Sequence, residues 1–116
     1  MGNIMDIEVK KYLFDIQGSI HSIENYLGEK RDFSLYMANK MMRRAIEREF
    51  EIIGEAINKI LKIDPGIEIS SKKQIINLRN RVIHGYDEVD DEIIWSIIVK
   101  HVPILKREIH NLLNSS

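Results

Sequence analysis

One arginine interrupts an otherwise apolar helical stripe. Arg79 follows Ile75 by four residues and Ile76 by three. It also precedes Val82 by three, so helical geometry places its stem inside the apolar face. Two explanations are open. In the first, the stem of Arg79 covers core surface while its charged head reaches water or pairs with a carboxylate of the last helix. In the second, the apolar face opens into a cleft that needs a permanent cation, typically to bind a phosphate.

A histidine follows in the same segment. His84 comes five residues after Arg79, about 140° around a continuous helix and roughly 7.5 Å along it, so the two side chains flank a groove. Asn80 and Arg81 share the face of the histidine because they precede it by four and three residues. A lone histidine near a helix end commonly partners the negative end of the helix dipole, whereas this cluster favours a functional site.

The formal net charge of -1 conceals a polarised segment. Residues 72–81 contain no acid, and residues 87–92 contain five. Gly85 lets the chain turn after the histidine, so that Tyr86 projects close to it. The cations of the basic segment are Lys72, Lys73, Arg79 and Arg81.

A second basic patch lies earlier in the chain. Lys40, Arg44 and Arg48 are spaced by four residues, with Arg43 beside them. Such a row is typical of a solvated helix face. It would lengthen a phosphate-binding surface if it lay near Arg79, either in one chain or across a dimer.

Other side chains that could do chemistry have simpler explanations. Glu51 and Glu55 share a helix face and suit salt bridges with Arg48 or Lys59. His101 falls on an apolar face, which favours a satisfied core or interface histidine, and the remaining histidines are scattered.

The composition excludes several classes of protein. The chain has 116 residues, of which 44% are hydrophobic, so a single folded domain over residues 1–116 is expected. The absence of cysteine excludes disulfides, zinc ribbons and thiol catalysis. The sequence has no metal-binding helix motif, EF-hand loop or glycine-rich phosphate loop, so no metal or cofactor is expected. It also has no targeting segment or long apolar run, and we expect a soluble, cytoplasmic protein.

Helices must position these residues, and the spacing of the apolar side chains predicts the first two. Steps of three and four from Val9 to Leu27 predict a helix that Gly28 ends. A longer helix is predicted from Leu35 to Leu61, with two apolar stripes. A double stripe indicates two packing partners, one of which can be a second copy of the chain.

The second half of the sequence predicts two more helices. Ser71 and Gln74 form a capping box that begins a short helix, which Gly85 should end. Asp90 suits the N-cap of the last helix, and Pro103 should kink it. Gly54, in the long second helix, indicates a close approach by another helix. The expected fold is an all-α, up-and-down bundle of four main helices with a kinked last helix.

The string Arg-Asn-Arg-Val-Ile-His-Gly-Tyr at residues 79–86 resembles the signature of HEPN-domain toxins, specifically the HepT-like family. That signature is an arginine, a polar residue, a short spacer, a histidine and, with one residue between them, a tyrosine. The likeness covers nearly the whole chain. It includes the amphipathic first helix, residues 51–56 on the long second helix, Trp95 on the last helix, and residues 103–106.

The resemblance implies a homodimer in which two signature motifs face one cleft and cleave RNA without a metal. Arg79 and His84 would be catalytic, and Asn80 would support them. RNA supplies its own nucleophile, the 2'-hydroxyl, so proton transfer and charge stabilisation suffice. The basic side chains expected to contact RNA are Arg81, Lys72, Lys73, Arg44 and Arg48.

The family also pairs such toxins with a minimal nucleotidyltransferase antitoxin that transfers AMP to the tyrosine of the signature. In this sequence that residue is Tyr86. The alternative is a non-catalytic adaptor that binds a nucleotidyltransferase or presents substrate to it. The slightly acidic net charge favours the adaptor, and the complete set of Arg79, Asn80 and His84 favours the nuclease.

Overall fold

The computed structural model describes residues 6–83 and 91–115, which form six helices and no strand. The expected all-α fold is therefore confirmed. None of the helices in these two ranges is long and apolar enough to cross a membrane. The helices are α1 (Ile7–Leu27), α2 (Phe33–Ala38), α3 (Lys40–Ile63), α4 (Lys72–Ile83), α5 (Asp91–Lys100) and α6 (Val102–Asn114).

Helix α1 matches its prediction. Asp6 caps its start, because the carboxylate accepts hydrogen bonds from the backbone N–H groups of Glu8 at 2.7 Å and Val9 at 3.4 Å. The helix ends at Gly28, whose positive φ of 69° is favourable only for glycine. The predicted stripe is buried between α1 and its neighbours α3 and α6. Its fully covered members are Val9, Leu13, Ile16, Ile20 and Ile23.

The predicted second helix is two helices, so the expectation of one continuous helix from Leu35 to Leu61 was wrong. Asn39 leaves the helical conformation, with φ of -116° and ψ of 92°, and its side chain accepts a hydrogen bond from the backbone N–H of Met42 at 2.9 Å. Asparagine favours this capping role over a helix interior. The short α2 is held separately, because Phe33 and Tyr36 pack against Trp95 of α5.

Helix α3 is the centre of the bundle and packs against α1, α2 and α4. One of its two predicted stripes is completely buried, and each such side chain contributes roughly 1.5–3 kcal/mol to folding. The other stripe is only partly covered within one chain: Met42, Ala45 and Ile52 are half-buried, and Ala56 is buried. The buried stripe consists of Ile46, Phe50, Ile53, Ile57 and Ile60.

The predicted last helix is interrupted at a single residue, as expected for a kink rather than a stop. His101 keeps right-handed helical angles, with φ of -101° and ψ of -34°, and its backbone N–H and carbonyl still make helical hydrogen bonds of 2.9 Å and 2.8 Å. Helix α5 ends at Lys100, α6 begins at Val102, and His101 lies between them. Pro103 stands in the first turn of α6, where its missing N–H is tolerated, whereas in a continuous helix its ring would crowd the carbonyl four residues earlier. His101 is satisfied, as predicted, because its Nδ1 lies 2.8 Å from the Ser71 hydroxyl oxygen.

Candidate active site

The candidate site is built on α4, which packs against α3 and α5. Ile75 is completely buried and Leu78 almost so, while Ile76 and Val82 pack at the edge of the core. Arg79 shares this side of the helix, and its side chain is 23% exposed. The predicted stem inside an apolar face is therefore confirmed.

Gly54 makes room for that stem. A β-carbon at position 54 would lie 2.4 Å from the β-carbon of Arg79, 2.8 Å from its γ-carbon and 3.4 Å from the carbonyl oxygen of Ile75. The predicted close approach of another helix at Gly54 is confirmed. The sequence did not reveal that the approaching group is the arginine.

Two side chains hold the Arg79 guanidinium. Its Nη2 donates to Oε2 of Glu55 at 2.5 Å, and its Nη1 donates to Oδ1 of Asn80 at 3.0 Å. Its Nε is buried and has no hydrogen-bond partner among the described residues. The carboxylate partner comes from α3, and not from the last helix, where one of our two explanations had placed it.

Glu55 is the residue of this site that the sequence analysis missed. It was expected to pair with Lys59 or Arg48, and Lys59 does approach it, at 3.9 Å. The hydrogen bond from Arg79 is the main cause that lowers the pKa of the Glu55 carboxyl below its ordinary value. Residues 24 positions apart on different helices leave no periodic signal in a single sequence.

The structure does not describe residues 84–90, and the predicted residues His84 and Tyr86 therefore lie outside the described residues. Of the three residues predicted to take part in catalysis, Arg79 and Asn80 are the two that the structure describes. Ile83, which directly precedes His84 in the chain, is the last residue of α4 and lies four residues after Arg79. The placement of the imidazole and of the phenol remains a prediction.

The predicted RNA-contacting cations lie at the surface. Lys73 and Arg81 are exposed, and Lys72 is half-buried. Arg44 and Arg48 are also exposed, and each pairs with an acid three residues later, as expected for a solvated face.

The basic row on α3 lies close to the residues that bind Arg79 on α4. Arg48 and Glu55 line one groove between α1 and α3, and the Glu55 carboxylate also binds Arg79. Within one chain, the far end of the second basic patch therefore borders the partner of the candidate catalytic arginine.

A second charged cluster joins α3 to the start of α5. Nε of Arg43 lies 3.8 Å from a carboxylate oxygen of Asp91, and its guanidinium also contacts the Met37 carbonyl oxygen. Burial raises the pKa of the nearby Glu47 carboxyl despite its pairing with Arg44. These contacts anchor the first residue of α5, just beyond the segment that contains His84.

In residues 6–83 and 91–115, no group of three histidine, cysteine, aspartate or glutamate side chains could hold a metal ion. The site that these helices define is a partly exposed guanidinium, fixed by a carboxylate and an amide, at the surface of an all-α bundle.

Comparisons with known proteins place the chain in a family of ribonucleases. The family model described as "Ribonuclease HepT-like" matches residues 16–112, and the chain belongs to that family. The chain is 33% identical over 106 residues to "Putative RNase MJ1380" of Methanocaldococcus jannaschii, an alignment that covers 88% of this chain and 94% of the relative. It is 31% identical over 107 residues to "Probable ribonuclease HepT" of Thermococcus cleftensis, an alignment that covers 89% of this chain and 94% of that relative. No solved structure matches the chain significantly.

Proposed function

We propose that this protein is a metal-independent endoribonuclease and the toxin of a toxin–antitoxin pair. The observation that carries the proposal is the Arg79 guanidinium, which is held by Glu55 and Asn80 at the end of a buried stem and is still partly exposed. An arginine fixed in this way is suited to bind a phosphate with two parallel hydrogen bonds. Membership of a ribonuclease family supports RNA as the source of that phosphate.

The proposed reaction uses the 2'-hydroxyl of RNA as the nucleophile. A base removes its proton while its oxygen attacks the adjacent phosphorus, and an acid protonates the departing 5'-oxygen. The products are a 2',3'-cyclic phosphate and a 5'-hydroxyl. His84 is assigned proton transfer, because an imidazole can accept and donate protons near neutral pH. Arg79 stabilises the charge that develops on the phosphorane oxygens.

The proposed active form is a homodimer. A symmetric dimer supplies two copies of His84, so that the acid and the base can come from different subunits. The partly covered second stripe of α3 is available for such an interface. A mixed dimer with one His84→Ala subunit should then lose most of its activity, whereas full activity of that species would contradict the shared arrangement.

We further propose that a minimal nucleotidyltransferase neutralises the protein by transferring AMP to Tyr86. The support is the position of this tyrosine two residues after His84 in the signature string. An adenylyl group there adds bulk and a negative phosphate beside a site that must receive RNA, so it should block binding.

The contacts with RNA are expected to be local. The net charge of -1 does not favour binding along a long polyanion, and Arg44 and Arg48 are already paired with acids. The proposed phosphate contacts are Lys72 and Lys73, which precede Arg79 at the start of α4, and Arg81, which follows it; Lys73 and Arg81 are exposed and Lys72 is half-buried.

Controlled expression tests the nuclease against the adaptor. The wild-type chain should arrest growth and degrade cellular RNA, and the His84→Ala variant at equal abundance should do neither. If both chains leave growth and RNA unchanged, the non-catalytic adaptor is the better account. If both are equally harmful, His84 is not catalytic.

A further inference from the structure

We propose that Glu55 is a positioning residue that fixes the Arg79 guanidinium in the orientation in which it receives a phosphate. This inference rests on the proposed ribonuclease activity. Its starting observation is the 2.5 Å contact between Nη2 of Arg79 and Oε2 of Glu55, the shorter of the two hydrogen bonds that hold this guanidinium among the described residues.

The Arg79 guanidinium has enough N–H donors to bind a phosphate while it remains bound to Glu55 and Asn80. Arginine has five N–H donors, two on each terminal nitrogen and one on Nε. Glu55 takes a hydrogen from Nη2, and Asn80 takes one from Nη1. Each terminal nitrogen keeps a second hydrogen, and two such donors suit the paired oxygens of a phosphate.

Gly54, the residue before Glu55, explains why the Glu55 carboxylate is placed to bind Arg79. Gly54 allows the stem of Arg79 to lie directly against the α3 backbone, because no β-carbon occupies that space. The stem is thereby fixed, but the head of a long side chain retains rotational freedom unless another group binds it. Glu55 is the next residue in the chain, and its carboxylate reaches that head.

The charge of Glu55 gives this role a kinetic signature. Its carboxyl pKa is lowered, so it is ionised at neutral pH and opposes the approach of a phosphate. Removing it should leave substrate binding unchanged or slightly tighter while the chemical step slows. We therefore expect Glu55→Ala to lower kcat by about 10- to 100-fold without raising KM.

Glu51 provides a matched control on the same helix. It lies one turn before Glu55, lines the same groove, and pairs with the exposed Arg48 at 3.1 Å rather than with Arg79. Glu51→Ala removes an equal charge from the same surface and should leave kcat within about twofold of wild type. Glu55→Gln keeps an oxygen that can accept the hydrogen bond and should retain more activity than Glu55→Ala.

A double substitution separates positioning from loss of fold. Lysine cannot offer the forked donors of arginine. In an Arg79→Lys background, Glu55→Ala should therefore have little further effect on kcat. A purely structural role for Glu55 would instead lower the active fraction to the same extent in both backgrounds.

Nuclear magnetic resonance of the guanidinium groups tests the inference without relying on catalysis. In the wild-type protein and in Glu51→Ala, the terminal N–H signals of Arg79 should be separately resolved because rotation is restricted. In Glu55→Ala they should average. Separate signals in Glu55→Ala, or a kcat equal to that of Glu51→Ala, would overturn the inference. Absence of cleavage by the wild-type protein would instead overturn the ribonuclease activity, while the same spectra still decide whether Glu55 orients Arg79.

Discussion

A β-carbon at Gly54 would stand 2.4 Å from the β-carbon of Arg79, a separation that real β-carbons essentially never show. The glycine of α3 and the arginine of α4 therefore depend on each other. Gly54 is needed for a side chain on another helix, and not for any unusual backbone angle of its own, because the only positive φ among the described residues is at Gly28.

Replacement of Gly54 by alanine should disturb the site directly. The added methyl group meets the rigid beginning of the Arg79 stem, so the helices must separate or the arginine must move. Overpacking of this kind costs about 1–3 kcal/mol of unfolding free energy. We expect that loss in urea unfolding, together with a roughly tenfold or larger fall in RNA cleavage because the guanidinium is displaced.

Gly18 is the matched control for this substitution. It lies on an exposed part of α1, and a β-carbon there would meet no atom within 4 Å. Gly18→Ala should stabilise the protein by roughly 0.5–1 kcal/mol through helix propensity and leave cleavage unchanged. Equal effects of the two substitutions would show that the packing at Gly54 is not critical.

The interaction between Glu55 and Arg79 should make stability depend on acid pH. The pKa of Glu55 in the folded state is lowered from its ordinary value of 4.5, chiefly by the hydrogen bond from Arg79. The stability that this interaction contributes is therefore present above that ordinary pKa, and it is lost as the pH falls through the pKa of the folded state. Glu55→Gln should therefore destabilise the protein more at about pH 7 than at about pH 3. A pH-independent difference in urea midpoints would contradict this assignment.

Glu47 should show the opposite dependence. Burial raises the pKa of its carboxyl in the folded state. The stability that this group contributes is therefore present at low pH and is lost as the pH rises through its pKa in the folded state. Glu47→Gln should remove that loss and flatten the stability profile above about pH 4. Thermal unfolding from pH 4 to pH 7 checks this, and a steeper profile in the variant would be inconsistent with the buried position.

Substitution of Tyr86 should affect inactivation by the nucleotidyltransferase without affecting RNA cleavage. A phenylalanine lacks the hydroxyl oxygen that would accept AMP but keeps the ring, so Tyr86→Phe should cleave RNA at close to the wild-type rate. It should also resist inactivation by a nucleotidyltransferase and ATP, as monitored by intact mass and residual cleavage. A gain of one adenylyl mass on Tyr86→Phe would place the modification elsewhere.

The fold was largely predictable because its helices obey local rules. The stripe from Val9 to Ile23 depends only on spacing, and it is buried as expected. The break at Asn39 was missed because the apolar pattern continues across it, although asparagine is a common N-cap. Pro103 was recognised because its effect on a helix is local, and the helix is interrupted two residues before it, at His101.

The site was predictable only in part, for a different reason. Arg79 stands out because a charge within an apolar stripe is visible in the sequence, and Gly54 stands out as a costly residue inside a helix. Their contact and the role of Glu55 arise from the packing of α3 on α4, which brings together residues far apart in the chain.

Cleavage of a defined RNA in the presence of a chelator tests the central claim most directly. The wild-type protein in excess EDTA should produce fragments that end in a 2',3'-cyclic phosphate, and Arg79→Ala and His84→Ala should each cleave at least about 100-fold more slowly while remaining folded. Cleavage by both variants at the wild-type rate, or fragments that carry 5'-phosphates, would contradict the proposed chemistry.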